Sequence, residues 1–158
     1  MIHANNLGAV VVDASVLVAL CAKEKDKAAT AETALSNYNS QGWSFYAPGV
    51  VISETLFALC WKLQNSVLTE NGHQIAIRSF IAYMSMILPP PNGDTSLIVR
   101  AEEIRSGYGC SRSADGLYIA LAEELSQVRT AELLTFDVGL SKQAARNAPT
   151  VKVNLLPC

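Results

Sequence analysis

Histidine, paired cysteine and excess positive charge are all scarce in this 158-residue sequence. The only histidines are His3, in a polar terminus, and His73, near a helix start, so a histidine general base is not expected. Cys21, Cys60, Cys110 and Cys158 are at least 39 residues apart and form no C-x-x-C, which argues against a zinc knuckle. Reduced thiols of a cytoplasmic protein are the expectation. With 12 Lys and Arg against 14 Asp and Glu, the net charge is −2. That excludes a broadly basic coat for nucleic acid but not a local basic rim. No window reaches the ~18 apolar residues of a membrane span. The longest apolar candidate, Val10 to Ala22, is broken by Asp13 and Ser15, and Met1 to Leu7 is too polar for a signal peptide. There is no G-x-x-x-x-G-K-[ST], G-x-G-x-x-G or G-x-S-x-G, so P-loop, dinucleotide and nucleophile-elbow chemistries lose their warrant.

What is present is apolar. Half the residues are hydrophobic and 16% are charged, the balance of a well-cored globular chain. The length suits one domain over residues 1–158, large enough to fold without staples. Ala9-Val10-Val11-Val12 is β-branched and apolar on consecutive positions, which predicts a central strand covered on both faces. Helices are predicted over 16–23 and 25–38, a loop over 37–42, and a second strand over 43–47. Pro48 then opens a helix running to about Gln64. Asn71-Gly72 marks a break or a helix start, and 73–84 is helical. A weak third strand, 84–88, stops at Pro89-Pro90-Pro91. Helices over 95–105 and 112–125 flank a turn at 107–109. A fourth strand over 131–135 precedes Asp137 and a helix to about Arg146, and a fifth covers 151–155 with Val151, Val153 and Leu155 facing inward. Strands alternating with helices predict a three-layer α/β domain with a five-stranded, mostly parallel sheet.

The carboxylates carry the chemistry. Asp13 and Asp137 stand at the carboxyl ends of strands one and four, where open parallel sheets bind ligands at a switch in winding direction. Each would otherwise serve as a plain helix cap, although neither has Glu or Gln three residues on. Glu54 is centred on an apolar stripe of Val50, Val51, Phe57, Ala58 and Trp61 that should face the core. A buried carboxylate there demands a compensating partner, whether a buried Arg, a backbone turn or a cation. Asp115, beside Tyr118, Ile119 and Ala122, repeats the pattern, though a first-turn position favours an acid through the helix dipole alone. Four converging carboxylates would repel one another unless some protonate or divalent ions neutralise them. Oxygen ligands without histidine or thiolate select Mg²⁺ or Mn²⁺. Such ions suit the charge that develops on a phosphodiester in flight. Arg112, one turn before Asp115, is the candidate cation for a substrate phosphate, or else pairs with the acids.

Val11-Val12-Asp13-Ala14-Ser15-Val16-Leu17, Ala47-Pro48 leading to Ser53-Glu54, Ser113-Ala114-Asp115-Gly116 through Ala122, and Leu133-Leu134-Thr135-Phe136-Asp137 together resemble a PIN domain. The pattern is nearest to the VapC-type toxins of toxin–antitoxin pairs. The likeness runs from Val10 to Leu155, with 41, 61 and 22 residues between successive acids. It implies a five-stranded parallel sheet flanked by helices and a Mg²⁺- or Mn²⁺-dependent ribonuclease site. The family's four acids fall on Asp13, Glu54, Asp115 and Asp137, with Ser15 and Thr135 as supporting hydroxyls. It also implies a homodimer held inactive by a cognate antitoxin, which itself binds DNA. Gly116 stands where alanine is common, and residues 126–132 are longer and more polar than usual.

Two other readings stay open from the residues. One is a PIN-like scaffold that binds RNA or protein without cutting, against which the retention of all four acids speaks. The other is a phosphoacceptor domain on Asp13 or Asp137. A haloacid-dehalogenase-type phosphatase would want Asp two residues after Asp13, where Ser15 stands.

Overall fold

The computed structural model describes residues 7–111 and 113–158. Strand β1, Ala9–Val12, is buried along its whole length, as its unbroken apolar run requires. It lies at the centre of a five-stranded sheet of order β3-β2-β1-β4-β5. The other strands are β2 (Ser44–Tyr46), β3 (Ile87–Leu88), β4 (Ala131–Thr135) and β5 (Lys152–Leu155). All four pairings are parallel, and β1 sets Val11 opposite Tyr46 on one side and Leu133 on the other. The predicted mostly parallel sheet is therefore parallel throughout. The chain winds outward from β1 to β3 and then restarts beside β1 with β4. That reversal makes a switch point between β1 and β4.

Helices α1 (Ala14–Cys21), α2 (Lys27–Ser40), α3 (Val50–Gln64) and α4 (Glu70–Met84) form one group, in which α1 packs on the other three. Helices α5 (Ile98–Gly107), α6 (Asp115–Ser126) and α7 (Val138–Asn147) form the second, with α6 against β1 and β4. A short 3₁₀ turn, Asp94–Leu97, leads into α5. Right-handed crossovers place the two groups on opposite faces of the sheet, the three-layer arrangement expected.

Several boundaries differ from the sequence reading. Helix α2 continues to Ser40, through the predicted loop. Helix α4 starts at Glu70 because the Thr69 hydroxyl accepts the Gly72 N–H, so Asn71-Gly72 opens the helix rather than breaking it. Pro48 precedes α3 by two residues, and its carbonyl already accepts from the Val51 N–H. After β5 it is Leu156, not Leu155, that is buried. The larger correction concerns α3. Its core face is Val51, Thr55 and Leu59, whereas Ile52, Leu56, Phe57 and Trp61 are exposed, Phe57 to 72%. The predicted stripe around Glu54 therefore divides: Val51 is buried, Val50 and Ala58 are half-buried, Phe57 and Trp61 face outward, and Glu54 is itself half-buried.

Gly116 has a direct cause. A Cβ at this position would lie 2.6 Å from the Ala101 carbonyl oxygen, so the close approach of α6 to α5 admits only hydrogen there. The helix-propensity penalty of about 1 kcal/mol is the cost of that packing.

Candidate active site

Asp13 follows β1 and Asp137 follows β4, so the switch point brings their backbones side by side, with the Asp13 N–H bonded to the Leu134 carbonyl at 3.0 Å. Asp13 stands in the cap position of α1 but makes no side-chain cap bond. Its Oδ2 instead accepts from Ser15 Oγ at 2.6 Å and from the buried Thr135 Oγ1 at 2.8 Å. Thr135 Oγ1 accepts the Asp137 N–H at 2.8 Å, and Ser15 Oγ accepts the Phe136 N–H at 3.1 Å. The two hydroxyls thus tie the ends of β1 and β4 together and fix one face of Asp13.

Asp137 does act as a helix cap. Its Oδ1 accepts the N–H groups of Gly139 at 2.7 Å and Leu140 at 3.2 Å. Asp115 opens α6, and its Oδ2 accepts from Nε2 of the buried Gln143 at 2.6 Å. Among the described residues, Glu54 has neither a buried Arg nor a backbone turn as partner. Its Oε1 accepts from the Tyr118 hydroxyl at 2.6 Å, which links α3 to α6.

These four acids line one cleft of about 310 Å³, together with Ser15, Ser113, Glu24 and Lys27. Each is oriented through one carboxylate oxygen by these bonds. Among the described residues, no Lys, Arg or His forms an ion pair with any of them. Burial raises the Asp13 carboxyl above its ordinary range, and the hydroxyls of Ser15 and Thr135 only partly oppose it. Burial likewise raises Glu54, with further push from Asp13 and Asp137. Asp115 is pushed up to about 6, first by burial and then by Asp137, Asp13 and Glu54. Burial and the Asp13 charge hold the Tyr118 phenol protonated, so it is the donor to Glu54.

An uncompensated, all-oxygen anionic cleft fits a hard divalent cation. Among the described residues, no three of the acids converge into a preformed cage. The arrangement suits an ion that keeps part of its water and touches few carboxylates directly, as Mg²⁺ does.

All four predicted acids and Ser15 thus line one site, and Thr135 braces it from beneath. Arg112 lies outside the described residues, as does His3; α6 itself begins at Asp115. His73 is on α4 and does not line the cleft. Three contributors escaped the sequence reading. Tyr118 lies one turn from Asp115 with a phenol that burial obliges to find a partner. Gln143 is a polar residue on the buried face of α7, between Leu140 and Ala144. Lys27 gave no signal in sequence.

The sequence model of the PIN domain matches residues 10–146. A search of curated proteins finds no match to this chain. Among solved structures, the fold is similar to VapBC2 from Rickettsia felis bound to a promoter DNA fragment, at TM-score 0.63 and 12% identity over 94% of this chain and 99% of that one. It is also similar to FitAcB from Neisseria gonorrhoeae, at 0.53 and 18% over 91% and 95%. A third is PAE2754 from Pyrobaculum aerophilum, at 0.53 and 18% over 96% and 87%. PIN domains are in general nucleases that use divalent metal ions.

Proposed function

The chain belongs to the PIN domain family, and from that premise we propose that it is a Mg²⁺- or Mn²⁺-dependent endoribonuclease, the toxin of a type II toxin–antitoxin pair. The observation that carries the nuclease reading is the cleft itself: four carboxylates at the β1–β4 switch point, each oriented by a hydrogen bond through one oxygen and none neutralised by a described cation. Asp13, Asp115 and Asp137, with Glu54, would hold the ion. When bound, it supplies Lewis-acid stabilisation of charge on the phosphodiester and lowers the pKa of water.

The chain's own residues position that chemistry. Thr135 and Ser15 hold Asp13 through Oδ2, which restricts its carboxylate at the edge of the cleft. Gln143 does the same for Asp115, and the α7 N–H groups for Asp137. Tyr118 keeps a proton on its own oxygen and thereby fixes Glu54 as an acceptor.

The toxin assignment is supported by the VapBC2 and FitAcB likenesses and by the exposed apolar row Ile52, Leu56, Phe57 and Trp61 on α3. Apolar rows of this kind mark protein interfaces. They suit a homodimer and a cognate antitoxin, which would carry any DNA contact. Four unpaired cysteines agree with a cytoplasmic setting. Among the described residues no helix is long and apolar enough to cross a membrane.

Purified, antitoxin-free protein should cleave single-stranded RNA in Mg²⁺ or Mn²⁺ and not in chelator. Asp13→Asn should abolish cleavage. RNA that is bound but left intact by the parent in every divalent metal would instead favour a non-cutting PIN-like module.

A further inference from the structure

The described lining of the acid cleft holds one cationic side chain. Lys27 is the only Lys or Arg among the described residues that line it. It opens α2, directly after a short turn in which Lys23 (φ 51°) and Asp26 (φ 68°) are both left-handed without being glycine. Such backbone is strained and persists where surrounding structure enforces it. Here the enforcement is visible. The Glu24 N–H bonds to the Ala19 carbonyl and the Glu24 carbonyl accepts from Ala28, each at 2.9 Å. The turn is thereby locked to both α1 and α2.

Its product is the placement of one ammonium. Lys27 Nζ sits 5.5 Å from the centre of the Phe136 ring, next to Asp137 in sequence, and 3.6 Å from Glu24. Glu24 is held more closely by Lys62, at 3.1 Å. One carboxylate therefore serves two lysines, and the trio carries a net positive charge. Lys27 forms no ion pair with any of the four acids, and its contact with Glu24 is long and shared. A cation at a helix N-terminus is also opposed by the helix dipole, which a bound anion would relieve.

We propose that Lys27 is a substrate-binding residue that holds a backbone phosphate of the nucleic acid at the rim of the acid cleft, with Glu24 and Lys62 fixing its position. This rests on the nuclease reading above. The ligand class is a phosphodiester of single-stranded RNA, and the contact is a charge-assisted hydrogen bond from Nζ to a non-bridging oxygen. The Phe136 ring lies beneath the ammonium, and Glu24 limits its reach to the cleft.

The test uses the full chain and a short 5′-labelled single-stranded RNA, with binding read by anisotropy in chelator across a range of salt. Lys27→Met keeps an unbranched side chain of similar length and removes the charge; Lys27→Arg keeps the charge. Lys27→Met should weaken binding about 5- to 20-fold and reduce the slope of log affinity against log salt by about 0.7, the release accompanying one single-strand phosphate. Lys27→Arg should stay within about 3-fold of the parent, and Mn²⁺ affinity, read as the melting-temperature shift, should be unchanged in both. A Lys27→Met protein with parental affinity and slope overturns the proposal while leaving the nuclease reading intact. So does a rise in Mn²⁺ affinity at unchanged slope, since Lys27 would then only compete for the acids. A parent that neither binds nor cleaves RNA overturns both.

Discussion

Replacing Asp115 with Asn should stabilise the metal-free protein. Asp115 is 7% exposed, and its carboxyl is pushed from 3.8 up to about 6, chiefly by burial. At 1.36 kcal/mol per tenfold, keeping it charged at pH 8 opposes folding by about 3 kcal/mol. The sign follows from proton binding. Between about pH 4 and 6 the folded protein retains a proton that the unfolded chain has lost, so stability falls as pH rises through that window and is level above it. The amide introduced by Asp115→Asn would carry no charge, and its oxygen can still accept from Gln143. It forfeits the helix-dipole benefit of an acid in the first turn of α6, about 0.5 kcal/mol. The net gain is about 2 kcal/mol at pH 8, roughly 4–8 °C in melting temperature for a chain of this size. Thermal melts in chelator at pH 4 and pH 8 decide it. The gain should be present at pH 8 and nearly absent at pH 4, and Mn²⁺ should reverse the order by stabilising the parent alone. An Asp115→Asn protein that melts at or below the parent at pH 8 would show that the acid is structural and that the repulsive cleft has been misread.

Gly116→Ala should destabilise by about 1–2 kcal/mol in denaturant titration despite its better helix propensity, because the new methyl meets the Ala101 carbonyl; a more stable variant would mean that α6 can slide from α5. Thr135→Val removes one of the two hydroxyls that hold Asp13 and leaves the Asp137 N–H without its side-chain acceptor, so a loss of about 1–3 kcal/mol is expected together with loss of cleavage, as measured by melts and RNA turnover. Asp137→Asn and Asp137→Ala should separate cap from site. Asn keeps the cap of α7 and near-parental stability, Ala loses about 1 kcal/mol, and neither should cut RNA; a cleaving Asp137→Asn would remove that residue from the machinery.

The acids were legible as polar positions set at the ends of, or among, apolar runs. Asp13 and Asp137 follow apolar strands, and the parallel topology that unites them comes from the same alternation of elements. The partners were not legible because they come from distant segments. Gln143 is 28 residues from Asp115 and Tyr118 is 64 from Glu54, and no local period links them. The α3 stripe failed for a different reason. Periodicity reports that a face is apolar, not what covers it, and a helix that buries Val51, Thr55 and Leu59 can carry a second apolar row for a protein partner. Gly116 could be read only as a propensity cost until Ala101 was seen behind it.

Several of the places where local rules are broken coincide in space, although left-handed Ser66 and Cys110 do not line the cleft. Raised carboxylates at Asp13, Glu54 and Asp115, and left-handed Lys23 and Asp26 leading to Lys27, all belong to the same cleft or to its approach. Elsewhere around the central sheet the preferences agree, with β1 buried on both faces and the Asp137 cap satisfied. A sequence selected for stability alone would place amides at these acids and glycine in the turn. Repulsion among the acids is a cost that a divalent cation would relieve, and the strained turn sets Lys27 at the cleft, which is the pairing expected of a site proposed to hold a positive ion beside a polyanion.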